Sequence, residues 1–301
     1  MNVEAHIDII KQSFPQIKVN TVVPATSGRD NYVLEINGDL IFRFPRRPDV
    51  EAQLLREIYL LPELEKALST PIPHFEYVWF GDENYSHPFV GYRKLLGIPI
   101  DDETITLQQR NDLVSPLTIF MNELSSFPVE LASQHGVRGG TTIWWRELYC
   151  RRYQQIQELV LPLLEASTRV KAVQFWEDFL TNDTYFTFRP ALLHGDLWCH
   201  HILCDPISST LTGVFDWGDI VIGDPARDFI GFFARYRRDY TRDIIENSIV
   251  ESDTTFWQRL EFYHRYFYHS FSEPLVALQT GDPELLSHSL EVLQIRLNEY
   301  E

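Results

Sequence analysis

Apolar and polar positions alternate with two different periods along this chain. Val3, Ile7, Ile10 and Phe14 recur at helical spacing until Pro15, which predicts a short opening helix. From Val19 the period shortens: VNTVVPAT, a polar turn SGRDN, then YVLEI, Asn37-Gly38 and DLIFRF read as three antiparallel strands. Asn-Gly between alternating apolar runs is a strong hairpin signal, because both residues tolerate the positive φ of a type I′ turn. Pro48 and Asp49 open a helix, VEAQLLREIYLL, with Val50, Leu54 and Leu61 on one stripe. FEYVWFG and HPFVGYRKLLG then read as two more strands, and Gly97-Ile98-Pro99 breaks the pattern. A five-stranded antiparallel sheet with one helix is expected over residues 1–96.

Beyond residue 97 the helical period dominates. Leu113, Leu117, Phe120, Met121 and Leu124 form one stripe, and further helices are expected from about Trp144 to Ala166 and from Val170 to Leu180. Trp144 and Trp145 read as core residues rather than a sugar-stacking platform. Near the end, Asp282 as N-cap and Pro283 at N1 lead into Leu286, Leu290, Leu293 and Leu297. The expected class is α+β and bilobal, with an N-terminal sheet lobe at 1–96 and a larger, mainly helical lobe at 97–301. The exception within the helical part is LLHGDLWCHHILCD, residues 192–205, together with the segment after it. There HHILC and LTGVFDW, joined by the polar turn DPISST, predict one more hairpin.

With 301 residues, 44% hydrophobic and 14% aromatic, the chain buries a substantial core without staples. Its formal charge of −17 opposes a nucleic-acid partner, since such proteins concentrate Lys and Arg on phosphates. The acidity suits a cationic small molecule, but on charge alone it reads first as a solubility feature. MNVEAHIDII lacks the positive charge of a signal peptide and no apolar run is long enough to span a bilayer, so a cytoplasmic protein with no membrane contact is expected. Three cysteines, Cys150, Cys199 and Cys204, fit reduced packing thiols. No obligate protein partner is implied.

A hairpin returns the chain to its starting end, so Asp216 is expected beside Asp196 and His201. Two carboxylates and an imidazole repel or compete unless a cation joins them. Hard oxygen ligands suit Mg²⁺, which keeps open positions for phosphate oxygens, while one aspartate left off the metal accepts a proton from an attacking hydroxyl. That is a division of labour for phosphoryl transfer, with Asp196 as base, His201 and Asp216 as metal ligands, and Arg43 on the nucleotide phosphates. Glu57 falls inside the apolar stripe of its helix and needs a partner. Either Arg43 supplies it, or Arg43 joins Arg46 and Arg47 in a solvated patch and Glu57 turns outward. Two other chemistries fit less well. Zinc on Cys199, His201 and Cys204 lacks a fourth ligand, and strand alternation turns Cys204 away from the other two. A two-metal hydrolase lacks a second His/Asp cluster.

HGDLWCHHILCD and FDWGDIVIGDPARDF resemble the catalytic loop and metal-binding segment of the aminoglycoside phosphotransferases, whose fold is that of the protein kinases. The resemblance spans nearly the whole chain. It implies Asp196 as catalytic aspartate, His201 in the position more often held by asparagine, and Asp216 as metal ligand, with Mg²⁺ and ATP or GTP as cofactor and donor. Histidine at 201 is similar to the branch of aminoglycoside 2″- and macrolide 2′-phosphotransferases. Arg43 stands where protein kinases carry lysine, and Glu57 where its partner glutamate belongs. The resemblance further implies that Ser27 and Gly28 belong to a phosphate-covering loop with a single glycine, and that Tyr92, Arg93, Lys94 and Leu95 form the hinge that holds the purine. Asp219 is implied for a substrate amine, while Asp224 and Asp228 look structural. The following stretch, ARYRRDYTR, is basic. The activity implied is phosphorylation of an aminoglycoside hydroxyl; a macrolide, another hydroxylated metabolite, or a catalytically silent nucleotide-binding protein are the alternatives.

Overall fold

The sheet expected over the first hundred residues forms with the register its turns dictate. The computed structural model describes residues 3–25, 28, 30–250 and 253–299. Helix α1 (Val3–Ser13) precedes β1 (Val22–Pro24), β2 (Asn31–Ile36), β3 (Leu40–Pro45), α2 (Pro48–Ala67), β4 (Tyr77–Trp79) and β5 (Phe89–Arg93). The five strands are antiparallel in the order β1-β2-β3-β5-β4. Asn37 and Gly38 sit at φ 57° and 82°, as a type I′ turn requires. The Asn37 side chain also fastens the turn to the preceding segment, accepting from Asn20 N at 2.8 Å and donating to Lys18 O at 2.7 Å.

The pleat separates two environments on β3. Phe42 and Phe44 point with Leu34, Ile36 and Phe89 into a small core capped by Ile10 of α1. Arg43, between the phenylalanines, points the opposite way, toward α2. That helix buries Val50, Leu54, Leu60, Leu61 and Leu64, each contributing about 1.5–3 kcal/mol of transfer free energy. It runs on through Pro62 to Ala67, past the Leu61 where the sequence pattern ends.

After β6 (Ile98–Pro99) come α3 (Leu107–Asp112), α4 (Val114–Ser126), α5 (Val129–Gln134), α6 (Thr142–Leu159) and α7 (Ala166–Leu180). The helix expected from Trp144 to Ala166 stops at Leu159. Pro162, which cannot donate to a continuing helix, sits in a 3₁₀ turn over Leu161–Leu163. Trp145 is fully buried, and Trp144 packs against the same core. Strands β7 (Ala191–Leu193), β8 (Ile202–Asp205), β9 (Thr210–Val214) and β10 (Val221–Gly223) come next, then α8 (Ile230–Glu246), α9 (Phe256–Tyr268), α10 (Ser272–Thr280) and α11 (Pro283–Glu299). Asp282 caps α11 as expected, accepting from Glu284 N and Leu285 N at 3.1 and 3.0 Å. No helix among the described residues is long and apolar enough to cross a membrane.

The expected hairpin is β8–β9, but its first strand begins only at Ile202. Cys199, His200 and His201 form a 3₁₀ turn instead, so alternation does not govern where 199 and 201 point. The Cys199 thiol donates to Gly231 O at 3.3 Å, and burial pushes its pKa up, which suits a packing role.

Candidate active site

The loop that carries Asp196 is built from short β strands and one glycine. Antiparallel pairing of β7 with β10 delivers the chain to His194-Gly195-Asp196. Gly195 sits at φ 83°, and a side chain there would collide with the Asp219 carbonyl, so only glycine makes this bend. Asp228, buried, accepts from His194 N at 2.7 Å and Gly195 N at 3.0 Å and so pins the loop from beneath. The Arg227 guanidinium donates to Gly195 O at 2.8 Å.

His194, to which the sequence assigns no role, ties the two functional segments together. Its Nε2 bonds Phe215 O at 3.1 Å, and its Nδ1 accepts from Asp196 N at 3.3 Å. A carbonyl only accepts, so Nε2 carries the proton and the ring is neutral. Burial, with a smaller push from His201, lowers this imidazole to about 4. Between its ordinary 6.5 and 4, the unfolded chain therefore binds a proton that the folded chain refuses. The stability this contributes is complete above 6.5 and is lost as pH falls through that window. Asp228 has the opposite sign: burial raises it from 3.8 to about 6, so its contribution is lost as pH rises across that interval. Thermal unfolding followed by circular dichroism is expected to show His194→Asn flattening the loss of Tm between pH 7 and 5, and Asp228→Asn steepening it.

Asp216 leaves β9 at φ 70°, ψ 56°, a left-handed conformation that costs a non-glycine residue about 1 kcal/mol or more. The strain aims its carboxylate back at the loop. His201 Nε2 lies 3.7 Å from Asp216 Oδ2, and His201 Nδ1 lies 3.7 Å from Asp196 Oδ2. One ligand atom from each of Asp196, His201 and Asp216 falls within 4.8 Å of the others, and among the described residues they are the one such group. Octahedral Mg²⁺ spaces its ligands by roughly 3–4 Å, so His201 and Asp216 fit one ion with small adjustments, with the Asp196 carboxylate beside it. The tautomer fits as well. His201 Nδ1 donates to Asp196 O at 2.8 Å, which turns the Nε2 lone pair toward Asp216.

This cluster forms one wall of a cleft of about 620 Å³ between the sheet and the helical part. Arg43 and Asp219 also line it, with Gly28, Tyr92, Lys94 and Leu95. Arg43 and Glu57 make the buried pair, with Nη1–Oε2 at 2.8 Å and Nη2–Oε1 at 3.0 Å, and are 6% and 2% exposed. Burial opposes the Arg43 charge, but Glu57, helped by Tyr92 and Asp216, offsets it and holds the guanidinium above its ordinary pKa. The solvated-patch reading of Arg43 is thus corrected, because the pleat sends it away from Arg46 and Arg47. The hinge candidates divide. Lys94 pairs with Glu35 at 2.7 Å, and Arg93 turns to Asp39 and Glu76 at 3.3 and 3.2 Å, outside the cleft lining. Ser27 lies outside the described residues.

Asp219 reaches solvent at the cleft, yet its carboxyl is raised, first by surrounding protein that displaces water and second by Asp196. Asp224 is structural: it meets Arg259 Nε at 2.6 Å and the Tyr263 hydroxyl at 2.7 Å, and caps the turn by accepting from Ala226 N at 3.1 Å. Arg259 carries no sequence signal for the role it takes here, since its partner Asp224 lies on another element.

The family model of the "Phosphotransferase enzyme family" matches residues 21–263. A GDP complex of wild-type aminoglycoside 2'-phosphotransferase-IIIa is 30% identical, covers all of both chains and superposes with a TM-score of 0.88. A GDP and kanamycin complex of APH(2")-IIia is 29% identical over 99% of each chain, also at 0.88. The uncharacterized protein YcbJ of Bacillus subtilis (strain 168) is 24% identical over 85% of this chain and 82% of that protein. The fold is that of the protein-kinase-like phosphotransferases, and the chain belongs to the phosphotransferase enzyme family.

Proposed function

We propose that this phosphotransferase moves the γ-phosphoryl group of GTP or ATP to a hydroxyl of an aminoglycoside. The carrying observation is that Asp196, His201 and Asp216 converge on the cleft that the Arg43–Glu57 pair also faces. His201 and Asp216 would hold Mg²⁺, which when bound supplies charge neutralisation at the phosphates. Arg43 binds the phosphates, Asp196 accepts the hydroxyl proton, and the backbone of Tyr92–Leu95 holds the base. Residues 1–96 form the nucleotide lobe and 97–301 the catalytic and acceptor lobe. GDP in the two relatives near 30% identity supports a purine triphosphate as donor.

A cationic acceptor is supported by Asp219 on the cleft wall and by the net charge of −17. The basic stretch on α8 is largely spoken for. Arg238 pairs with Glu261 at 3.1 Å, Arg242 with Asp239 at 2.7 Å, and Arg235 donates to Asp101 O at 3.2 Å.

The deciding experiment incubates the protein with Mg-GTP or Mg-ATP and a panel of aminoglycosides, macrolides and simple polyols, then reads acceptor masses. One phosphoryl group added to an aminoglycoside is the expected result. Transfer confined to another class corrects the acceptor, and no transfer to any alcohol overturns the activity. Arg43→Met is expected to weaken nucleotide binding about tenfold, about 1.4 kcal/mol, with the acceptor KM unchanged; titration calorimetry with a non-hydrolysable analogue checks it.

A further inference from the structure

Asp196 is 31% exposed at its side chain, so packing alone leaves the carboxylate free to turn and exchange its oxygens. A specific contact prevents this. The Trp198 indole Nε1 donates to Asp196 Oδ1 at 2.8 Å, while Oδ2 faces His201. The two oxygens are thereby made different: Oδ1 is occupied by a donor, and Oδ2 looks toward the cation cluster where phosphate and hydroxyl would meet.

Trp198 is itself held from two sides. Its backbone N donates to Asp196 O at 3.0 Å. Its ring meets that of Phe267 on α9 edge-on, with centroids 5.8 Å apart and planes at 89°. The Arg227 guanidinium lies 5.7 Å from the Phe267 ring, and the same guanidinium binds the carbonyl of Gly195, next to Asp196. A closed circuit of contacts therefore runs from Asp196 through Trp198, Phe267 and Arg227 back to the loop.

We propose that Trp198 is a positioning residue for phosphoryl transfer: its indole N–H clamps Asp196 Oδ1 so that Oδ2 alone receives the acceptor's proton. This rests on the function proposed above, with Asp196 as base. The oxygen–hydrogen bond of the acceptor breaks as its oxygen bonds phosphorus, the proton goes to Oδ2, and the β–γ bridging oxygen leaves with the nucleoside diphosphate.

Trp198→Phe keeps an aromatic ring on the Phe267 side and deletes the donor, at the cost of part of the indole's volume. Its kcat for transfer is expected to fall about 10–100-fold, with nucleotide affinity and Tm retained, because a misaligned base forfeits near-attack geometry. Trp198→His returns an N–H the same number of bonds from Cβ and recovers at least part of the loss. In an Asp196→Asn background, Trp198→Phe costs little more, since the group it positions no longer acts. Unchanged kcat in Trp198→Phe, no recovery in Trp198→His, or full additivity with Asp196→Asn each overturns the clamp. If the wild type transfers phosphate while these variants fail the expectation, the clamp alone falls; if the wild type phosphorylates nothing, the proposed function falls and takes the clamp with it.

Discussion

Asp196→Asn lowers kcat for transfer about 10³-fold while nucleotide affinity stays within about twofold of wild type. A positioned general base contributes roughly 10²–10⁴-fold, and the amide removes the proton acceptor without changing side-chain volume. The amide oxygen of this variant still accepts from the Trp198 indole, so the loop geometry survives. The nucleotide contacts proposed for Arg43 and the hinge lie on other elements and are untouched. Steady-state transfer assays beside calorimetric titration of nucleotide check both halves. Activity within threefold of wild type removes Asp196 from the role of base; a matching loss of nucleotide affinity shows that the substitution disturbs the cleft as a whole.

Arg259→Leu is expected to be the most damaging single change to stability, about 3–5 kcal/mol. Arg259 and Asp224 are both fully buried. The guanidinium meets Asp224 through Nε at 2.6 Å and Nη2 at 3.2 Å, and Asp253 through Nη1 at 2.8 Å. Asp224 also accepts from Tyr263, whose hydroxyl accepts from the Trp145 indole at 2.9 Å. Leucine would leave a carboxylate in the core with a phenol and one amide as its remaining donors. Urea unfolding measures the loss. Adding Asp224→Asn to Arg259→Leu removes the stranded charge and restores part of it; no restoration, or a single-variant loss below about 1 kcal/mol, shows that the pair is not the anchor its burial indicates.

The same pair illustrates how differently the parts of this protein were legible in its sequence. Helices and strands followed from period and punctuation: Asn37-Gly38 marks its turn, Asp282-Pro283 its helix start, and HGDLWCHH with FDWGD the paired segments of the site. Glu57 announced itself as an acid inside an apolar stripe, and the pleat of FRF oriented Arg43. Where local rules misled, a competing local preference had won. Pro162 divided the helix expected through Ala166, and Cys199–His201 wound into a 3₁₀ turn where a strand was expected.

The amino-acid sequence by itself determined the order of the N-terminal elements, their sheet and its hairpin register, and the identity of the three residues that gather at the cleft, because period, turn chemistry and capping act over a few neighbours. Only the tertiary structure decided the left-handed Asp216, the neutral His194 bridge, the tautomer of His201, the Arg259–Asp224 anchor and the indole on Asp196. Burial and hydrogen-bond geometry set these, the His194 bridge and the Arg259–Asp224 anchor between elements distant along the chain and the others around tight turns, and local spacing carries no information about which oxygen or nitrogen faces which partner.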